Sequence, residues 1–181
     1  TLTLTVTSAA GCVDSTDFMV LTIRQQATVN AGVDATICET GTYTLSGATA
    51  SDYTSLTWST NGTGTFDNAN ILAATYTPSP ADITAGSVIL TLTATSAAPC
   101  VNATDAMLLT INDQATASAG VDATICEGSS YTLSTASATN AVTYTWSTSG
   151  TGAFTDANIL NATYNPSAGD ILNGSVTLTL T

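Results

Sequence analysis

The sequence predicts an all-β chain built as tandem β-sandwich repeats with a period of 88 residues. Three observations predict it. Apolar residues alternate with Thr or Ser along short runs, and helical spacing is nearly absent. Gly, Asn, Asp and Pro turns separate about seven such runs per period. Finally, Cys12 and Cys100, Cys38 and Cys126, Tyr43 and Tyr131, Trp58 and Trp146, Phe66 and Phe154, and Tyr76 and Tyr164 each stand 88 residues apart, with no gap between.

The repeat sets the phase of each element. TLTLT opens the chain at 1–5 and returns at 177–181, two periods later. Residues 1–26 therefore read as the last two strands of a preceding repeat, 27–112 as a complete repeat, and 113–181 as a repeat lacking its final strand. Leu2, Leu4 and Val6 alternate with Thr, as do Val88, Leu90 and Leu92, and Val176, Leu178 and Leu180. Met19, Leu21 and Ile23 form a second set, matched by Met107, Leu109 and Ile111. Each run has one apolar face and one hydroxyl face, as in an antiparallel sheet packed on one side only. Threonine, about a fifth of the residues, suits such half-buried pleats because it is β-branched. Trp58, Trp146, Tyr43, Tyr131, Leu90, Leu92 and Leu178 are the expected core, the tryptophans filling the space between the sheets.

The turns carry their own signals. Asn61-Gly62 predicts a tight hairpin with positive φ, and Glu39 to Gly41 and Glu127-Gly128 predict turns between short strands. Ser79-Pro80-Ala81-Asp82 has the form of a capping box with Pro at the first helical position, and Ser167 to Asp170 repeats it. A single helical turn crossing between the sheets is expected at each.

Several segments together resemble a known family. NAGVDATICETGTYTLSG (30–47), SLTWST (55–60) and SVILTLTATSAAPCVNATDAMLLTI (87–111) are similar to polycystic-kidney-disease-type (PKD) immunoglobulin-like domains, and to repeats of giant Bacteroidota surface proteins of the adhesin or gliding-associated kind. The resemblance covers the whole chain. It implies tandem immunoglobulin-like sandwiches in a secreted, multi-repeat stalk or fibre on a cell surface, exported by the type IX system. The family's Asp-Phe-Gly-Asp-Gly run after the Trp is replaced here by Ser-Thr-Asn-Gly-Thr-Gly (59–64), so no function tied to that turn carries over.

Composition excludes other classes. One basic residue, Arg24, stands against 13 acidic ones, and there is no His and no Lys. Nucleic acid binding needs clustered cations, so nucleic acid is not a partner. No apolar run reaches the ~20 residues of a membrane helix, so no direct membrane insertion is expected. Serine nucleophile chemistry lacks its base. Glu39, Glu127, Asp17 and Asp105 recur once per repeat, as structural positions do, and the chain is read as no enzyme. No cofactor is called for. Calcium is the one ion to weigh: Asp14, Asp17, Asn30, Asp34, Asp67, Asn68 and Asn70 offer loop oxygens, but without DxDxDG spacing.

Cys12, Cys38, Cys100 and Cys126 include no CxxC pair and have no His beside them, which argues against zinc. An extracellular setting makes disulfides the default. Three states stay open: a Cys38–Cys100 bridge within the complete repeat, bridges between adjacent repeats or copies, or free thiols. The inter-repeat bridge is favoured, since Cys38 is expected at one end of the sandwich and Cys100 at the other. Asn61, Asn102, Asn161 and Asn173 open Asn-x-Ser/Thr sequons, and Asp14-Ser15-Thr16 is similar to the O-glycosylation motif of Bacteroidota, with Ser15 as acceptor.

Two functions compete. A structural fibre or stalk, partnered by further copies of the same repeat, fits the gapless period and short connections. An adhesive module, recognising glycan or protein through the sandwich-end loops, would show as loop variation. The repeats differ mainly at 49–56 and 137–144, which favours the spacer, with any glycan or host ligand bound elsewhere in the full protein.

Overall fold

The computed structural model describes residues 1–181 and divides into two compact units, Thr1–Ile37 with Gly41–Asn112, and Cys38–Thr40 with Asp113–Thr181. It is all-β, with two single-turn helices.

The first unit opens with β1 (Leu2–Val6) and β2 (Ser15–Met19), paired antiparallel with Leu2 opposite Met19 and Val6 opposite Ser15. Every residue of both strands is exposed. There follow β3 (Thr28–Asn30), β4 (Ala35–Cys38), β5 (Tyr43–Thr44), β6 (Thr49–Ser51), β7 (Tyr53–Thr60), β8 (Thr65–Phe66), β9 (Thr75–Thr77), α1 (Pro80–Ala85), β10 (Ser87–Ser96) and β11 (Ala103–Asn112). One layer is a four-stranded sheet in the order β4-β11-β10-β7; facing strands form the sheets β5-β9-β8 and β3-β6. The alternation predicted from sequence is what builds the core. In β10, Val88, Leu90, Leu92 and Ala94 are buried while Ile89 is exposed. Leu90 lies opposite Met107 of β11, and Leu92 opposite Trp58 of β7. From the facing layer, Leu45, Phe66, Ala74 and Tyr76 pack into the same cluster. Each fully buried Leu here contributes roughly 1.5–3 kcal/mol.

One turn expectation needs correction. Asn61-Gly62 does not close a hairpin, because β7 and β8 lie in different sheets and the segment crosses between them. Gly62 is also not among the glycines with positive φ. It is needed for space: a Cβ there would collide with the Asp82 carboxylate and come within 2.8 Å of Val88 Cγ1. Glu39 to Gly41 is a turn between the short strands β4 and β5 as expected, and because these pair with different partners it carries the chain from one sheet to the other. Strand pairing by β11 on one side and β9 on the other sets that crossing.

The second unit carries β12 (Thr116–Ser118), β13 (Tyr131–Thr132), β14 (Ser137–Thr139), β15 (Trp146–Thr148), β16 (Ala153–Phe154), β17 (Thr163–Asn165), α2 (Ala168–Asn173) and β18 (Leu178–Leu180). Its sheets are β13-β17-β16, β12-β14 and β15-β18. Leu133, Ala136, Trp146 and Ala162 are its buried cluster, with Phe154 and Leu178 packed against it.

Candidate functional site

The most elaborate polar construction is built twice. Ser79 caps α1, its hydroxyl accepting from the Asp82 amide at 3.2 Å, while Asp82 Oδ2 accepts from the Ser79 amide at 2.9 Å. Pro80 starts the helix and Gly86, at φ 74°, ends it in the left-handed conformation that glycine adopts freely. Asp82 is 2% exposed. Its carboxylate also accepts from the Thr63 amide at 2.9 Å and from the Tyr76 hydroxyl at 2.8 Å. The second unit repeats this arrangement. Asp170 accepts from the amides of Ser167 (2.9 Å), Thr151 (2.8 Å) and Gly152 (2.9 Å) and from the Tyr164 hydroxyl (2.8 Å).

The electrostatics follow from those donors. Burial opposes ionisation of Asp82, but the Ser79 and Thr63 amides and the Tyr76 hydroxyl outweigh it, and its pKa lies below the usual carboxylate value. At Asp170 the Ser167 amide leads, joined by Thr151, and the pKa is lowered to about 2. Burial raises the phenol pKa of Tyr76 and of Tyr164. A carboxylate held ionised, with its lone pairs committed to three donors at Asp82 and four at Asp170, neither accepts nor delivers a proton near neutral pH. The cluster locks α1 to the turn after β7 and to β9. Sequence reading found its capping box but not the tyrosine; the signal was a Tyr six residues before the Asp in both repeats.

The remaining candidates are placed as follows. Trp58 and Trp146 are buried, and each indole N–H donates to backbone carbonyl oxygen, Trp58 to Ile71 (3.1 Å) and Leu72 (3.2 Å) and Trp146 to Leu160 (3.1 Å). Neither offers a ring face to a sugar; Trp58 stacks on Phe66 with centroids 6.2 Å apart, and Trp146 on Phe154 at 6.0 Å. Leu90 and Leu92 are fully buried, whereas Tyr43, Tyr131 and Leu178 are half-buried. The oxygens weighed for calcium largely serve backbone amides: Asp14 accepts from Ser8, Asn30 from Gly32, Asp34 from Leu108, Asp67 from Asn68 and Thr75, and Asn68 from Asn70. Asp17 accepts from the next amide in its own strand. Ser15, Asn61, Asn102, Asn161 and Asn173 are all exposed. Two of these asparagines are also structural: Asn61 Oδ1 accepts from Ile89 at 2.8 Å and Asn102 Oδ1 from Ser96 at 3.1 Å.

All four thiols are unbridged; Cys12, Cys38 and Cys126 are exposed and Cys100 is half-buried. Cys38 ends β4 and Cys100 precedes β11. Along the edge of the sheet the Ala31 amide donates to Asp105 (2.8 Å) and the Leu108 amide to Asp34 (2.8 Å), so the chain leading into β4 runs parallel to β11. Cys38 is thereby carried to the far end of β11 from Cys100. Ten residues of strand span about 30 Å, and a disulfide needs Cα atoms within about 7 Å, so these two thiols cannot bridge in this fold.

No protein-family model matches the sequence, and no curated protein does. Among solved structures, the chain is similar to the crystal structure of protocadherin gamma C5 EC1-3, with 14% identity and a TM-score of 0.37. The match covers 81% of this chain and 58% of that one. No helix is long and apolar enough to cross a membrane.

Proposed function

We propose that this chain is a structural repeat of an extracellular fibre, filament or stalk on a bacterial surface, of the kind found in giant Bacteroidota proteins, with its partners further copies of the same repeat. One observation carries this reading. What the chain builds twice is framework: the Asp–Tyr–Ser lock, the indole bond to the Leu72 or Leu160 carbonyl and the Trp–Phe–Tyr stack recur with equivalent partners at the same distances to within a few tenths of an ångström. Nothing comparable is repeated that would hold a substrate. A chain with one cation and hydroxyl-rich faces suits exposure outside the cell, where exposed Ser15 and the exposed sequon asparagines are candidate glycan acceptors. Antibodies raised against the chain should decorate extended filaments on intact source cells. Labelling that requires permeabilised cells would defeat the proposal.

A second reading, adhesion, has one observation in its favour. The segment where the repeats differ most lines an open concavity in the first unit, formed by Tyr53, Thr54, Ser55, Leu56, Asn70 and Ile71. Its Tyr53 is 42% exposed, enough to stack on a sugar. Screening the chain against immobilised glycans tests this: saturable binding abolished by Tyr53→Ala supports an adhesive role, and no binding leaves the spacer.

A further inference from the structure

We propose that Cys38 forms a disulfide with the hairpin-tip cysteine of the following repeat, the residue 88 positions beyond Cys100, so that each repeat is stapled to the next. The inference rests on the fibre reading and names the bond that would stiffen it.

The argument is one of register. Cys100 Sγ lies 3.6 Å from the carbonyl oxygen of Arg24. Arg24 sits 88 residues before Asn112, the last residue of β11, so by the period it is the counterpart of that strand's end, although β2 itself stops at Met19. The hairpin-tip thiol of one repeat thus touches the end of the repeat before it. The Ala27 amide donates to Ser96 Oγ at the end of β10 at 3.0 Å, and from there the chain follows β11 in parallel: the Ala31 amide donates to Asp105 and the Leu108 amide to Asp34. Three residues of advance on one side match three on the other. Four more steps bring Cys38 beside Asn112. The hairpin tip of the following repeat, placed as Cys100 is placed on Arg24, would set its sulfur on the carbonyl of that same Asn112. Both thiols would thus converge on one residue, as the bond between them requires.

The surroundings agree. Cys38 is exposed, and along β4 Ala35 and Ile37 pack against the core while Thr36 and Cys38 face outward. The intradomain alternative is closed by distance, as shown above. The gapless period places both thiol types once per repeat, so the same bond recurs along an array. The step is an oxidation: two thiols lose two protons and two electrons and form one S–S bond, while a small-molecule disulfide such as oxidised glutathione accepts them and is cleaved to two thiols.

The following tip can come from the same chain continued in register or from a second copy, and two preparations distinguish them. In the first, the chain is joined to a second copy at its Val6, which preserves the period because Thr181 is the counterpart of Thr5. In the second, the 181-residue chain stands alone. Both are oxidised with glutathione disulfide and cleaved before aspartate, which puts each cysteine on its own peptide. The expected result for the fusion is a Cys38 link to Cys12 of the second copy and a Cys126 link to Cys100 of the second copy, with Cys12 and Cys100 of the first copy left reduced. These pairs should exceed any other pairing at least tenfold, and Cys38→Ser should remove the first while leaving the second. An intermolecular Cys38–Cys12 link in the unfused chain assigns the tip to a docked copy; its absence there assigns it to chain continuation. Random pairing, or all eight thiols of the fused chain left reduced, overturns the staple. Filament labelling on cells would be unaffected by that failure, so the two proposals fall separately.

Discussion

The same four residues, ATIC, have two fates in this molecule. At Ala35–Cys38 they form β4, beside β11; at 123–126 they belong to no strand and every one is exposed. Neighbouring segments diverge in the same sense. Val88 and Leu90 are buried at 2% and 0% exposure, while their counterparts Val176 and Leu178 are only half-buried. The eight-residue β7 corresponds to a three-residue β15. The helix, its cap, the tryptophan and the aromatic stack are the same in both. What differs is β11, which has no counterpart among residues 113–181. It supplies Met107, Leu109 and Ile111 to the core and pairs with β4 and β10. In the second unit its place is an open groove of about 790 Å³, lined by Ile125, Leu133, Tyr164, Val176 and Leu178 among others. Local sequence chooses the lock; the final strand decides whether the edge becomes a sheet.

The sharpest way to break that comparison is to supply the strand. Appending a copy of Ala94–Asn112 after Thr181 continues the period. Burying three apolar side chains at roughly 1.5–3 kcal/mol each should stabilise the second unit by about 5 kcal/mol or more. Hydrogen exchange should then slow at Thr124–Cys126 to the level of Thr36–Cys38. If these amides stay unprotected, β11 is not what orders ATIC.

A smaller effect probes the lock that both units share. Gly62 and Gly150 each sit against the carboxylate they surround, and a Cβ at Gly150 would meet Asp170 and come within 2.7 Å of Val176 Cγ1. Gly62→Ala and Gly150→Ala should each cost about 1–3 kcal/mol by overpacking. Gly47→Ala, with only Gly32 Cα at 3.9 Å, serves as the near-neutral control. Chemical denaturation, followed by the fluorescence of Trp58 or Trp146 with the other changed to Phe, reads each unit separately. Equal effects from Gly47→Ala and Gly62→Ala would mean that close approach is not the reason for the glycine.

Much of this architecture was legible in the sequence because its causes are local or periodic. Alternation located β10 and β11, and the Ser79 to Asp82 pattern specified a cap whose partners lie three residues apart. The 88-residue spacing aligned the two tryptophans. What was not legible depends on contacts distant in sequence. Asn61-Gly62 carries the letters of a hairpin, yet its glycine answers to Asp82, twenty residues on. Glu39 to Gly41 reads as a turn between short strands, but nothing local tells that its flanks pair with β11 and β9 in different sheets. The Tyr76–Asp82 bond joins a strand to a helix across a corner that no periodicity describes.

The smallest expected effect is acid sensitivity, and its sign follows from the lock. Asp170 has a folded-state pKa of about 2, below its ordinary value of 3.8. A carboxylate whose pKa is depressed by folding adds stability above its unfolded pKa and loses it as the pH falls through the folded one. The second unit should therefore hold its melting temperature from pH 7 to about 5 and lose it between pH 4 and 2. Asp82 shares the direction, so the first unit should follow the same course, but its closed sheet should leave it folded at a pH where the second has melted. Asp170→Asn keeps one acceptor oxygen but turns amide hydrogens towards donor N–H groups. It should lower the melting temperature at pH 7 and flatten the fall between pH 4 and 2. Calorimetry across that range decides it: an undiminished acid transition in Asp170→Asn would place the titrating carboxylate elsewhere and reduce the lock to a helix cap.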